Sequence, residues 1–232
     1  MTPIKKAAVG FETTTATTSA SHADPNDLAL TTTTTDARID SRMLAKPLGN
    51  KHQSVFELVK CHRADFEEFG LLRFQTGKGT GGRPEKFAML NEDQAYLLLT
   101  YSRNNAKTRC LKIKLVKAFS EARRAADLRR TEYLPAHHAM HDAIKNKAAG
   151  SPNERFMHIN ANKALNQLVG VEAGCRAGAG TLQQSLLAVG SALAARAVQA
   201  AQDAHGLHQL IKNALKPLEG VLSLGGASEA KP

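Results

Sequence analysis

Between Ile39 and Arg124 the chain sets two helix signals, a tight turn and a glycine-tipped basic hairpin in immediate succession. Few folds accept that order. Asp40 and Ser41 are good N-caps for a first helix, and Met43, Leu44 and Leu48 give it an apolar face. Pro47 and Gly49 end it early, because proline disfavours a helical predecessor and glycine supplies the turn. A second helix is predicted from about His52 to His62, with Val55, Phe56 and Val59 inward. Its other face presents Asn50, Lys51, His52, Gln53, Ser54 and Lys60, residue types that serve phosphates and base edges. In a helix-turn-helix the residues near the N-terminus of the second helix lead into the DNA major groove.

The segment LLRFQTGKGTGGRPEKFAML then reads as a hairpin. Leu71 to Gln75 alternate, Gly77, Gly79, Gly81 and Gly82 form the tip, and Glu85 to Leu90 return. Arg73, Lys78, Arg83 and Lys86 line it. A basic hairpin after a helix-turn-helix has the place of a wing lying on the phosphate backbone. The residues therefore predict a winged helix-turn-helix on duplex DNA.

Charge supports that location. The chain carries a formal net charge of +10. From Arg38 to Arg124 there are 18 Lys/Arg against 9 Asp/Glu, so nearly all the excess sits in this stretch. A localised basic surplus is the footprint of a polyanion binder. The 42% hydrophobic content suffices for a core, but without Trp the packing rests on Ala, Leu, Val and Ile. Cys61, Cys110 and Cys175 are odd in number and far apart, which fits a reducing, cytoplasmic setting. No secretory signal or membrane span is expected.

Residues 1–36 read as a disordered Thr-rich tail, with a short strand at Leu28 to Leu30 as an alternative. A start assigned too far upstream would also explain such a tail. Residues 37–131 form the expected DNA-binding domain, 132–222 a helical C-terminal domain, and 223–232 a frayed end. After the hairpin, Asn91 and Gln94 have capping-box spacing. Asn104 and Asn105 precede a long helix with Leu111, Leu115, Ala118, Ala122 and Ala125 in one stripe. Its Lys107, Arg109, Lys112, Lys114 and Lys117 are either a solvated face or a second phosphate contact, and further along the helix could be an oligomer seam. Tyr133-Leu134-Pro135 breaks the pattern and marks the boundary. Beyond it come a histidine-bearing helix, a helix opened by Ser151 and Pro152, a Gly-rich connection, a long Ala-rich helix and a shorter last one. Ala188, Gly190, Ala192, Ala194 and Ala195 allow close helix approach, which suggests a bundle or self-association. The fold class is thus mainly α with a small β-hairpin.

Catalytic and cofactor constellations do not assemble, and no enzyme, cofactor or metal is expected. Gly77, Gly79 and Gly82 satisfy a G-x-G-x-x-G spacing, but Arg83-Pro84 and a strand follow instead of a helix able to hold a pyrophosphate. His137 and His141 have i, i+4 spacing with no evident third ligand, so exposed helix histidines are expected. Cys61 and His62 are neighbours on a helix and point apart. Asp65, Glu67 and Glu68 read as a solvated turn.

Over Asp40 to Arg124 the sequence resembles the phage regulatory protein Rha family. The matching features are Ser41, the Gly49-Asn50-Lys51-His52 turn, the helix after it, the hairpin before Lys86-Phe87, the Asn91 to Tyr101 helix, and the helix with Ala106-Lys107, Lys114 and Ala118-Phe119. The TGGRP tip is more Gly-rich than is usual in that family. The segment NERFMHINANKALNQLVGVEAGCR resembles the C-terminal domain of phage antirepressors, through Asn162, Lys163, Asn166 and Gly170. The resemblances imply a phage- or prophage-encoded regulator of lysogeny or host transcription in the bacterial cytoplasm. They also imply an alternative, an antirepressor that binds a repressor protein without touching DNA. A homo-oligomer is expected in either case.

Overall fold

The computed structural model describes residues 28–32, 36–77 and 84–221. Lys78, Arg83 and the tip glycines Gly79, Gly81 and Gly82 lie outside the described residues, as do the end at 223–232 and most of the expected N-terminal tail. The mainly-α class with a small β element is borne out.

A four-stranded antiparallel sheet has the order β1 (Leu30–Thr32), β2 (Ala37–Asp40), β4 (Glu85–Leu90), β3 (Arg73–Gly77). The Thr-rich segment is therefore not tail throughout. Leu28 is buried, and Leu30 pairs with Ile39. β2 leads directly into α1 (Ser41–Leu48), which a three-residue turn joins to α2 (His52–Cys61). Asp40 caps α1, accepting from the Arg42 amide at 2.8 Å. Pro47 lies inside the last turn of α1 and does not end it; Gly49 does, at φ +73°. The Gly49 and Asn50 amides close the turn on Lys46 O and Ala45 O, both at 3.0 Å.

A short α3 (Arg63–Glu68) replaces the expected acidic turn, because Phe66 is fully buried and winds the chain around itself. The β3–β4 hairpin follows, in the register Arg73 with Met89 to Gly77 with Glu85. α4 (Glu92–Thr100) opens with the Asn91–Gln94 capping box. Gln94 is buried and also donates to Phe66 O and Gly70 O, tying α4 to the end of α3.

From α5 (Ala106–Leu128) the chain stays helical through Arg129–Tyr133, a π-helical stretch, into α6 (Leu134–Ala148). Tyr133-Leu134-Pro135 therefore does not break the helix. Proline has no N–H to donate, and a widened turn absorbs the missing bond. This stretch separates two cores. The first gathers Leu28, Ile39, Val55, Phe66, Leu98, Leu115 and Phe119. The second gathers Tyr133, Ile144, Leu165, Leu187 and Ile211 from α6, α7 (Glu154–Val169), α8 (Thr181–Ala200) and α9 (Leu207–Leu215). α7 begins after Asn153, two residues beyond the expected cap at Ser151. Gly190 bears out the close approach expected of the small residues. A Cβ there would sit 2.9 Å from Leu165 and 3.2 Å from Leu215.

Candidate nucleic-acid interface

The site is built where α1, α2 and β4 meet. Ser41 is fully buried, and its Oγ accepts the Ala88 amide of β4 at 3.1 Å. The same Oγ lies 3.3 Å from His52 Nε2, and His52 Nδ1 lies 2.8 Å from Glu85 Oε1. A carboxylate only accepts, so Nδ1 carries the proton; in the neutral ring Nε2 then accepts from Ser41. Arg42 completes the assembly. Its Nε and Nη2 donate to Asp40 Oδ2 at 2.9 and 2.6 Å, and Nη1 lies 3.7 Å from Glu85 Oε2. The guanidinium sits 3.8 Å over the Phe87 ring. Its pKa is raised above the ordinary value, chiefly by the Asp40 hydrogen bond. Ion pairing and hydrogen bonding thus lock the first turn of α2 to the base of the hairpin.

A second seam is apolar. Phe74 of β3 meets Phe56 of α2 edge-on, with ring centroids 5.7 Å apart. Val55, Phe56 and Val59 point inward as expected.

His52 is the one residue of the expected reading face that turns away from solvent. Its side chain is 13% exposed and engaged with Glu85. A positioning task replaces its expected outward role, because a half-buried imidazole beside a carboxylate is held by that partner. Asn50, Lys51, Gln53 and Ser54 are exposed together at the head of α2. Lys60 is exposed too, but Glu57 holds it at 3.2 Å and also accepts from Gln53 Nε2 at 2.9 Å. On the hairpin Arg73 and Lys86 are exposed.

Several residues of this assembly have no distinctive local signal in the sequence. Ser41 reads only as a cap, Glu85 only as a strand residue, and Arg38 only as part of the cationic surplus. Arg38 is in fact buried, donating to Met89 O at 2.9 Å and paired with Asp36. Arg63 and Arg123 are likewise paired, with Glu67 and Glu92.

A different polar cluster fills the joint between α6 and α7. Arg176 donates to Asn166 Oδ1, Tyr133 Oη, Asn162 Oδ1 and Asn162 O at 2.6 to 3.0 Å. His137 Nε2 lies 3.1 Å from Asn162 Oδ1 and 3.2 Å from His141 Nε2. His141 stacks on His158 with centroids 4.7 Å apart. His137 and His141, expected to be exposed, are instead drawn in by Asn162, whereas the neighbouring His138 is exposed. Burial, then the neighbouring His137 and His158, push the His141 pKa down to about 4. Burial also lowers that of His137. Among the described residues no group of three or more His, Cys, Asp or Glu is arranged for a metal ion, and no helix is long and apolar enough to cross a membrane. The three thiols are free.

A two-helix unit that offers polar side chains thus lies beside a basic hairpin. Residues 39–124, from β2 into α5, match the family model described as phage regulatory protein Rha. The Rha resemblance is thus shown over that span. The match ends short of the C-terminal helices and gives no support to an antirepressor likeness there. Neither a curated protein nor a solved structure matches the chain.

Proposed function

We propose that the protein is a phage- or prophage-encoded transcriptional regulator that binds duplex DNA. In this reading β2, α1, α2 and the β3–β4 hairpin form a winged helix-turn-helix. Lys51, Gln53 and Ser54 face the major groove with Asn50 at its edge, and Arg73, Lys78, Arg83 and Lys86 lie on phosphates. The observation that supports it best is the Ser41–His52–Glu85 chain, which fixes the head of α2 against the hairpin base. A reader of base edges needs such a fixed angle between its helix and its backbone clamp. The protein acts in the bacterial cytoplasm with no catalytic role, and the C-terminal helices serve oligomerisation or capture of another regulator.

Fluorescence anisotropy with labelled duplex across a salt series tests this. Changing Arg73, Lys78, Arg83 and Lys86 together to Ala should weaken all sequences alike. The log–log salt slope should fall by roughly 0.9 for each phosphate no longer neutralised. Gln53→Ala should instead change which sequences are preferred. A quadruple variant with the wild-type slope would remove the wing from the reading.

The second reading is the antirepressor, which binds a repressor protein and no DNA. Exposed Phe156, Ile159, Leu182, Val189 and Leu210 on α7, α8 and α9 favour it as a protein-docking surface. Capture of a phage repressor with no duplex shift at low salt would select it.

A further inference from the structure

Two grooves run beside the helix pair. One, of about 700 Å³, lies between the Gly49-Asn50 turn and the start of α5, and is lined by Asn50, Tyr101, Ser102, Arg103, Asn105 and Lys107. The other, of about 440 Å³, lies between the end of α1 and α5, with Lys46, Lys107 and Lys114 around Pro47 and Leu111. Lys107 lines both, so the grooves adjoin. Among the described residues no carboxylate lines either one. Asp65, which Tyr101 reaches with its hydroxyl at 2.5 Å, is the acid tied to the first groove's rim.

This distribution differs from the rest of the basic module. Arg38, Arg42, Lys60, Arg63 and Arg123 all face carboxylates within ion-pair distance. Lys46, Arg103 and Lys107 are exposed, and no ion pair is formed by them among the described residues. Exposed cations gathered in a concave surface raise the local potential and favour a polyanion. The first groove is also continuous with the candidate interface. Asn50, on its wall, directly precedes Lys51 at the head of α2.

We infer that these grooves carry a further run of the phosphate backbone of the same duplex, held by Lys46, Arg103 and Lys107. The inference rests on the DNA-binding reading and extends its footprint from α2 and the hairpin to the α1–α5 side. A regulator that grips beyond its recognition helix gains affinity without gaining sequence information, since phosphate contacts position and do not specify.

The test uses the full chain and mixed-sequence duplexes of about one and about two helical turns, roughly 10 and 20 base pairs. Lys46→Ala/Arg103→Ala/Lys107→Ala should bind the longer duplex at least about tenfold more weakly. Its salt slope should be lower by up to roughly 2.7, three phosphates at about 0.9 each. Its affinity for the shorter duplex should match the wild type. Arg73→Ala/Lys86→Ala should weaken both. Restoring charge with Lys46→Arg/Lys107→Arg should keep wild-type slopes, which separates charge from fold, and circular dichroism should be unchanged throughout. If the wild type binds both duplexes and the triple variant keeps its slope on the longer one, the groove assignment is overturned while the DNA reading stands. If the wild type binds neither duplex at low salt, both fall, and the grooves pass to an acidic protein surface.

Discussion

Around α1 and β4 the buried polar atoms form a chain that ends on a carboxylate, whereas around Tyr133 they form one that ends on imidazoles and guanidiniums. In the first, Ala88 N–H, Ser41, His52 and Glu85 hand donors to acceptors in sequence, and Arg42 balances the acid. In the second, Asn162 sits between two donors and an acceptor. Its Oδ1 takes Arg176 and His137, and its Nδ2 donates to His141 Nε2 at 3.2 Å. Arg129 faces the same Tyr133 ring, 5.5 Å from its centroid. Among the described residues the carboxylate at its edge is Glu154, 4.0 Å from His158. The first arrangement sets one guanidinium between two carboxylates, Asp40 and Glu85, and holds α2 against the hairpin base. The second, through burial, disfavours protonation of His137 and His141.

The sharpest way to break the comparison is to unsettle one core alone. Leu187 on α8 is fully buried in the C-terminal core, and Leu187→Ala should cost about 2–5 kcal/mol there. The N-terminal core shares no buried residue with it. Urea unfolding should therefore show an early transition while duplex affinity per folded module stays at the wild-type value. A single shifted transition with parallel loss of DNA binding would show that the α5–α6 helix couples the cores into one unit.

Acid gives the next effect. An unfolded imidazole titrates near 6.5, and that of His141 is depressed to about 4 in the fold. Between those values the unfolded chain holds the extra proton, so stability rises with pH across the window. Stability present above about pH 6.5 is therefore lost as pH falls towards 4. Protonated His141 would turn a donor toward the Asn162 amide, and Asn162 cannot flip without surrendering Arg176. The charges of His137, His158 and Arg176 add to the penalty. The urea midpoint of the C-terminal transition should fall across this range, and His141→Gln should flatten the fall. A flat wild-type profile would make the cluster inert.

What can be read from residues, and what cannot, follows the same division. Asp40 as a cap, the Gly49 turn, the Asn91–Gln94 box and the pairing of Arg73–Gly77 with Glu85–Leu90 are local, decided by neighbours within a few positions. Arg38, His52 and Ser41 are open to misreading because their partners lie 11 to 51 residues away. An arginine near a helix start counts only towards a cationic surplus until Met89 O, 51 residues on, is placed beside it. Pro135 shows the complementary limit: its missing donor is certain, but whether the helix breaks or widens depends on what α5 and α6 pack against. The histidines of α6 look exposed until Asn162 of α7 arrives.

The smallest expected effect sharpens the comparison within the candidate interface itself. Glu57 is the carboxylate on the outer face of α2, holding Gln53 at 2.9 Å and Lys60 at 3.2 Å. All three are exposed, and such pairs contribute at most about 1 kcal/mol. Glu57→Gln should thus leave stability nearly unchanged. It removes a negative charge from the outer face of α2 and releases Lys60, and in the DNA-binding reading that charge would oppose the phosphates. Duplex affinity should rise about two- to fivefold at low salt, on the order of 0.5–1 kcal/mol, and the gain should fade as salt screens it. A loss of affinity instead would mean that Glu57 holds Gln53 in its reading posture. The outer face of α2 would then be organised like its root, where Glu85 holds His52, and charge would matter less there than orientation.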